Sequence, residues 1–174
     1  MEKDEEARKA FEDEIKKYAP ERMIYIDQSG RDNTLDYPYG YCPKSERFKA
    51  TKLGHRTERV SVISGWWNGM TIAPMIFEGY CNTKVVCAWI ENMLVPELIP
   101  GQIIIMDNAS FHPKKIIKEL LTKAGCEVIF LPPYSPDLNK IEKFWARLKN
   151  YVSQLMTEGQ SLISSLTLAL RVLS

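Results

Sequence analysis

The sequence has few of the residues that build zinc centres, disulfide frameworks or membrane spans. It contains only two histidines, and its four cysteines lack Cys-x-x-Cys spacing: Cys42, Cys81, Cys87 and Cys126. Neither a zinc centre nor a disulfide framework is therefore indicated. No apolar run approaches the roughly 20 residues that cross a bilayer, and the N-terminal residues are charged. We therefore expect a cytoplasmic protein with reduced thiols and no membrane partner.

The chain also lacks an excess of charge of either sign. Its 23 Lys and Arg residues nearly balance 22 Asp and Glu residues, which leaves a formal net charge of +1. Overall charge therefore gives no argument for a nucleic-acid partner, and any such argument must be local. With 174 residues the chain fits one domain that can bury a substantial core.

The order of apolar patterns predicts an α/β protein with a mixed sheet flanked by helices. A polar N-terminal helix precedes a strand that ends at Asp27. A hairpin follows, with strands Arg59–Trp67 and Met70–Phe77 joined by Asn68-Gly69, a pair that suits a type I′ turn. Helix and strand then alternate, which predicts parallel βα units. We expect three parts: a connecting helix over residues 1–20, the main domain over 21–156 and a C-terminal amphipathic helix over 157–174.

Two short apolar runs each end in an aspartate, and a glutamate follows further along the chain. The runs before Asp27 and Asp107 are typical of buried strands. In open α/β sheets ligands gather at the carboxyl ends of strands, so both aspartates are expected at one sheet edge, close to Glu142 at the last long helix. Two divalent cations about 3.5 to 4 Å apart, held by carboxylates, can align the attacking and leaving oxygens of a phosphodiester. The pattern therefore indicates phosphoryl transfer on nucleic acid.

Each of the three carboxylates also has a purely structural interpretation. Asp27 is followed by Gln28-Ser29-Gly30, which favours a turn, and Asp107 could likewise organise a turn. Asn139 and Glu142 have the spacing of a helix capping box, with Glu142 at the third helical position. The metal-site interpretation rests on all three together, because three anions at one sheet edge repel one another unless cations compensate.

Three segments resemble the catalytic domain of DDE transposases, specifically the mariner-like group that includes many bacterial insertion sequences. They are Tyr25-Ile26-Asp27-Gln28-Ser29-Gly30, Met106-Asp107-Asn108-Ala109-Ser110-Phe111-His112 and the proline-rich stretch from Leu131 to Glu142. The likeness runs from about Arg22 to Leu155, and the 34 residues between Asp107 and Glu142 match the spacing of that group. One departure is Lys140, where members usually carry proline.

This resemblance implies a ribonuclease H-like fold and an activity. Asp27, Asp107 and Glu142 would be the catalytic, metal-binding triad, with Mg²⁺ or Mn²⁺ as cofactor, in two ions. The activity would be DNA strand cleavage and strand transfer for DNA transposition. Members usually carry helix-turn-helix domains ahead of the catalytic domain, and the segment before Tyr25 is too short for them. The expected partners are therefore transposon-end and target DNA, a separately encoded helix-turn-helix part and a second copy of the chain.

A basic stretch after the first strand is the candidate DNA contact. Six cations lie within sixteen residues that hold only two acids, Glu46 and Glu58; they are Lys44, Arg47, Lys49, Lys52, Arg56 and Arg59. A solvated charged loop is the alternative, but the position beside the first aspartate favours phosphate contacts. His112 is a further candidate for DNA contact or water orientation, with helix capping or a simply exposed position as the favoured alternative.

Phe144 and Trp145 form an aromatic pair in the last long helix that could stack on bases. Trp145, however, belongs to an apolar stripe that predicts a buried helix face: Ile141, Trp145, Leu148, Val152 and Leu155. Two alternatives to a transposase remain open from the sequence. One is a ribonuclease H-like nuclease without strand transfer, and the other is an inactive or domesticated fragment that serves as a DNA-binding or oligomerisation module.

Overall fold

The computed structural model describes residues 4–32, 59–110 and 112–174. Its strands are β1 (Met23–Asp32), β2 (Arg59–Trp67), β3 (Met70–Glu78), β4 (Ile103–Met106) and β5 (Glu127–Phe130). They form one sheet in the order β3-β2-β1-β4-β5. The first three strands are antiparallel neighbours, whereas β4 runs parallel to β1 and β5 runs parallel to β4. The predicted α/β class with a mixed sheet is confirmed.

Helices cover both faces of this sheet in the described part of the chain. They are α1 (Glu5–Ile15), α2 (Thr83–Trp89), α3 (Lys114–Lys123), α4 (Glu142–Thr157) and α5 (Leu162–Leu173). One face packs against α1, α4 and α5, and the opposite face packs against α2 and α3. None of the described helices is long and apolar enough to span a bilayer.

The alternation of side chains along β1 decides which helix each residue meets. Met23 and Tyr25 lie in the core with α4, whereas Ile24 and Ile26 lie in the core with α2 and α3. Successive strand residues point to opposite faces. Asp27 therefore follows Met23 and Tyr25 and lies on the α4 face of the sheet.

The predicted hairpin is confirmed, with its second strand one residue longer than expected. Asn68 has a φ of 49° and Gly69 a φ of 90°. Positive φ at both central residues is what a type I′ turn requires. The Asn-Gly pair therefore fixes how β2 and β3 pair, and β2 in turn pairs with β1.

The turn predicted at Gln28-Ser29-Gly30 is wrong, because β1 continues through these residues to Asp32. Asp27 pairs with Ser64 and Gly30 with Ser61 across the antiparallel neighbour β2. The partner strand satisfies the backbone of β1, which overrides the local preference for a turn. The guanidinium of Arg59 also occupies the place where a Cβ on Gly30 would lie, so the glycine allows this close approach.

Helix α1 contacts the segment that leads into α4. Its N-cap is Asp4, whose Oδ1 accepts a hydrogen bond from the Ala7 N–H at 3.0 Å, and Phe11 is buried among α4 and α5 residues. Arg8 pairs with Asp137 through both guanidinium nitrogens, with distances of 2.6 and 3.1 Å. Asp137 belongs to a short 3-10 turn, Pro136–Leu138, immediately ahead of α4. Helix α1 therefore contacts the segment that positions the start of α4.

Candidate active site

Asp27 and Asp107 lie at the same edge of the sheet. The parallel pairing of β1 with β4 ends at Ile26 and Met106, and each aspartate is the next residue of its chain segment. The two carboxylates are therefore neighbours, although β1 itself continues as a partner of β2. Glu142 is the first residue of α4, and all three carboxylates line one pocket of about 400 Å³.

Asp27 sits in a half-buried position against α4. The indole Nε1–H of Trp145 donates a hydrogen bond to Asp27 Oδ2 at 3.1 Å. Burial raises the pKa of the Asp27 carboxyl from 3.8 to about 7, and the negative charges of Glu142 and Asp107 add to this rise. Hydrogen bonds from the Gln28 backbone and from Trp145 oppose it. The site therefore holds a carboxylate whose ionised form is destabilised unless a cation binds.

Asp107 has a histidine partner. The Nδ1 of His112 lies 3.0 Å from Asp107 Oδ1 and 3.3 Å from the Asp107 carbonyl oxygen. His112 is only 8% exposed, so the exposed alternative is wrong. The capping alternative is wrong as well, because Pro113 occupies the N-cap position of α3 and no side chain caps that helix. The imidazole therefore lies where it can orient the Asp107 carboxylate, and the DNA contact proposed for His112 stays a prediction.

The capping-box interpretation of Asn139 and Glu142 is wrong. Helix α4 begins at Glu142, and Ile141 occupies the N-cap position without a side-chain hydrogen bond. The side chain of Asn139 points instead to β1, where its Nδ2 donates to the Ile26 carbonyl at 3.2 Å. A 3-10 turn precedes Asn139, and the helix starts only after it, so Lys140 lies ahead of α4. The ammonium of Lys140 lies 5.2 Å from the centre of the Tyr25 ring.

The apolar stripe of α4 is confirmed, since all five of its members are buried. Phe144 is buried as well and stacks on Trp66 with ring centroids 5.0 Å apart, so it belongs to the core. Sequence reasoning missed the second role of Trp145, which is its hydrogen bond to Asp27. The available signal was an indole N–H within an otherwise apolar stripe, because a buried indole usually finds a hydrogen-bond acceptor.

Five of the six cations of the basic stretch lie outside the described residues: Lys44, Arg47, Lys49, Lys52 and Arg56. Arg59 is the exception and opens β2. Its guanidinium carbon lies 4.6 Å from the centre of the Tyr80 ring. The role of this stretch in phosphate binding stays a prediction.

The donor set suits a hard divalent cation in its chemistry. Three carboxylates line one pocket, and burial penalises the charge of Asp27. Oxygen ligands of this kind are those that Mg²⁺ and Mn²⁺ prefer. Among the described residues, however, no three His, Cys, Asp or Glu side chains are already gathered into a metal-binding cluster.

The raised pKa of Asp27 predicts an unusual dependence of stability on pH in the metal-free protein. The folded protein holds a proton on Asp27 up to about pH 7, whereas the unfolded chain loses it near pH 4. The free energy of unfolding should therefore decrease as the pH rises from about 4 to about 7. Asp27→Asn removes this penalty, so its melting temperature should exceed that of the unaltered protein by a margin that grows across this range.

Thermal melts in excess chelator over a pH series would measure that margin. Glu119→Gln, at an exposed position on α3, is the matched control and should show no such growth. A margin for Asp27→Asn that stays constant with pH would contradict the raised pKa.

Comparison with known proteins assigns the family. A family model described as DDE superfamily endonuclease matches residues 22–163. Because this match spans most of the chain, the chain belongs to the DDE superfamily endonucleases, and the resemblance to DDE transposases is confirmed. No curated protein sequence matches the chain.

Solved structures with the same fold include transposases and an integrase. The Mos1 strand transfer complex has a TM-score of 0.65 and 16% identity, covering 83% of this chain and 46% of that one. The Mos1 paired-end complex with the left transposon end has a TM-score of 0.63 and 16% identity, covering 81% and 45%. The catalytic core of BIV integrase has a TM-score of 0.51 and 14% identity, covering 86% and 81%. This likeness confirms the ribonuclease H-like fold, and the chain spans less than half the length of these two Mos1 chains.

Proposed function

We propose that this chain is the catalytic part of a transposase that cleaves DNA strands and joins them to a target. The observation that carries the proposal is the convergence of Asp27, Asp107 and Glu142 on one pocket of a ribonuclease H-like sheet. All three lie within the region that matches the DDE endonuclease family. Residues 21–156 would form the catalytic domain.

The three carboxylates would hold the divalent cations. Mos1 complexes are known with Mn and with Mg, which supports these two metals for this chain. When bound, two such ions activate the attacking oxygen and stabilise the leaving oxygen of the phosphodiester. Trp145 would orient the Asp27 carboxylate, and His112 would orient that of Asp107. Pro132, Pro133 and Pro136 line the same pocket, and their fixed φ angles limit backbone motion there.

DNA is the proposed substrate and partner. The Mos1 structures are a paired-end complex with the left transposon end and a strand transfer complex, as their names state. In this chain the basic stretch from Lys44 to Arg59 would contact phosphates without reading sequence. A separately encoded helix-turn-helix part and a second copy of the chain are the further partners that we propose.

A branched DNA that mimics the strand-transfer product tests this proposal without knowledge of the transposon ends. In the reverse reaction, a 3′ hydroxyl of the target attacks the junction, releases the donor strand and reseals the target strand. We expect the resealed strand, which is longer than any labelled fragment supplied, when the chain and Mn²⁺ are present. Denaturing gels would resolve this strand from the shorter products of simple cleavage.

The same experiment separates the two alternatives. Shortened strands without a resealed one would indicate a nuclease that lacks strand transfer. Retained DNA binding without any cleavage would indicate a binding or oligomerisation module. Either result would overturn the proposed transposase activity of this chain.

A further inference from the structure

Two side chains from the α4 region hold consecutive residues of β1. Asn139 Nδ2 donates to the Ile26 carbonyl at 3.2 Å, and Trp145 Nε1 donates to Asp27 Oδ2 at 3.1 Å. Glu142 lies between these two donors in the sequence. The start of α4, which carries Glu142, is therefore hydrogen-bonded to β1, which carries Asp27.

Both donors are buried, so their contacts are shielded from competing water. Asn139 is 3% exposed and Trp145 is 1% exposed. A hydrogen bond in such surroundings is stronger than one at the surface, and it constrains the geometry of both partners. These two contacts thus connect three parts of the pocket wall: the end of the parallel part of β1, the turn before α4 and the first turn of α4.

The side-chain amide of Asn139 has an unpaired hydrogen-bond acceptor. Its Oδ1 is buried and has no hydrogen-bond partner in the described part of the protein, although Asn139 lines the pocket with the three carboxylates. Buried acceptors are nearly always paired, and leaving one unpaired costs free energy. An apolar side chain of similar volume would avoid that cost but could not donate to Ile26.

We propose that Asn139 and Trp145 are positioning residues that set the spacing between Asp27 and Glu142 for cation binding. This inference rests on the proposed function, since it concerns the same pocket. Trp145 restricts rotation of the Asp27 carboxylate, and Asn139 fixes the approach of α4 to β1. Neither residue would contact the cation. Trp145 acts through the Asp27 carboxylate that it hydrogen-bonds, and Asn139 acts through the backbone of β1 at Ile26.

Trp89 offers a matched control for Trp145. It is also 1% exposed, and its Nε1 donates to the Ala73 carbonyl at 2.7 Å. It packs on the opposite face of the sheet, with α2 and α3. Trp145→Phe and Trp89→Phe therefore remove the same kind of buried hydrogen bond, but only the first removes one that reaches a carboxylate of the pocket.

Mn²⁺ binding by calorimetry, together with metal-free melting temperature, tests the proposal. Trp145→Phe and Asn139→Leu should each weaken Mn²⁺ binding about 10- to 100-fold, as loss of an outer-shell partner typically does. Trp89→Phe should bind Mn²⁺ as the unaltered protein does, even if its melting temperature falls as much as that of Trp145→Phe. Asn139→Leu keeps the inference testable if Trp145→Phe fails to fold.

Indole ¹⁵N–H resonances give a second measurement that does not depend on activity. The signal lost in Trp145→Phe should shift when Mg²⁺ is added to the unaltered protein, whereas the signal lost in Trp89→Phe should not. If the unaltered protein binds Mn²⁺ but both site variants bind it as Trp89→Phe does, the positioning roles are wrong and the proposed function stands. If the unaltered protein binds no Mn²⁺, the proposed function fails and this inference fails with it.

Discussion

Asp27→Asn, Asp107→Asn and Glu142→Gln should each remove nearly all strand cleavage and joining. Loss of an outer-shell partner alone typically costs 10- to 100-fold, so loss of a metal-binding carboxylate should exceed about 100-fold. The fold should persist, because each amide has nearly the shape of its acid and all three residues lie on the pocket wall. Initial rates on branched DNA, with circular dichroism of each variant, would measure both effects.

Glu119→Gln is the matched control, since Glu119 is exposed on α3. It should cleave as the unaltered protein does. Loss of a capping box cannot explain reduced cleavage by Glu142→Gln, because Asn139 and Glu142 form no capping box. A Glu142→Gln variant that cleaves normally would exclude Glu142 from the catalytic site.

Excess chelator should abolish cleavage, and Mg²⁺ or Mn²⁺ should restore it. Ca²⁺ should support binding with little turnover, since it takes looser and more numerous ligands than the octahedral site of Mg²⁺. The metal should also stabilise the fold, by about 2.7 kcal/mol at a concentration one hundred times its dissociation constant. The physical reason is that the cation binds the assembled carboxylates of the folded protein and not the unfolded chain.

Melting temperatures with and without Mn²⁺ would detect this effect separately from catalysis. Asp27→Asn should lose most of the metal-induced increase, whereas Glu119→Gln should keep it. Full cleavage in excess chelator would rule out the metal-dependent mechanism that we propose.

Sequence patterns predicted part of the candidate site correctly and part of it wrongly. The runs before Asp27 and Asp107 predicted neighbouring parallel strands, and the pairing of Ile26 with Met106 confirms that placement. The turn predicted after Asp27 was wrong, since a distant strand supplied the backbone partners that a local pattern cannot include. The capping box failed for the same reason, because Asn139 found its partner on β1, 113 residues away in the sequence.

The sequence by itself determined the elements whose signals are local. An Asn-Gly pair imposes positive φ at a hairpin turn, and a stripe repeating every three or four residues buries one face of α4. The tertiary structure alone decided how the site is held and charged. Trp145 reaches Asp27 across 118 residues of sequence, and the rise in the pKa of Asp27 comes from burial. Hydrogen-bond partners and desolvation depend on which distant elements pack together, and that information appears only when the chain is folded.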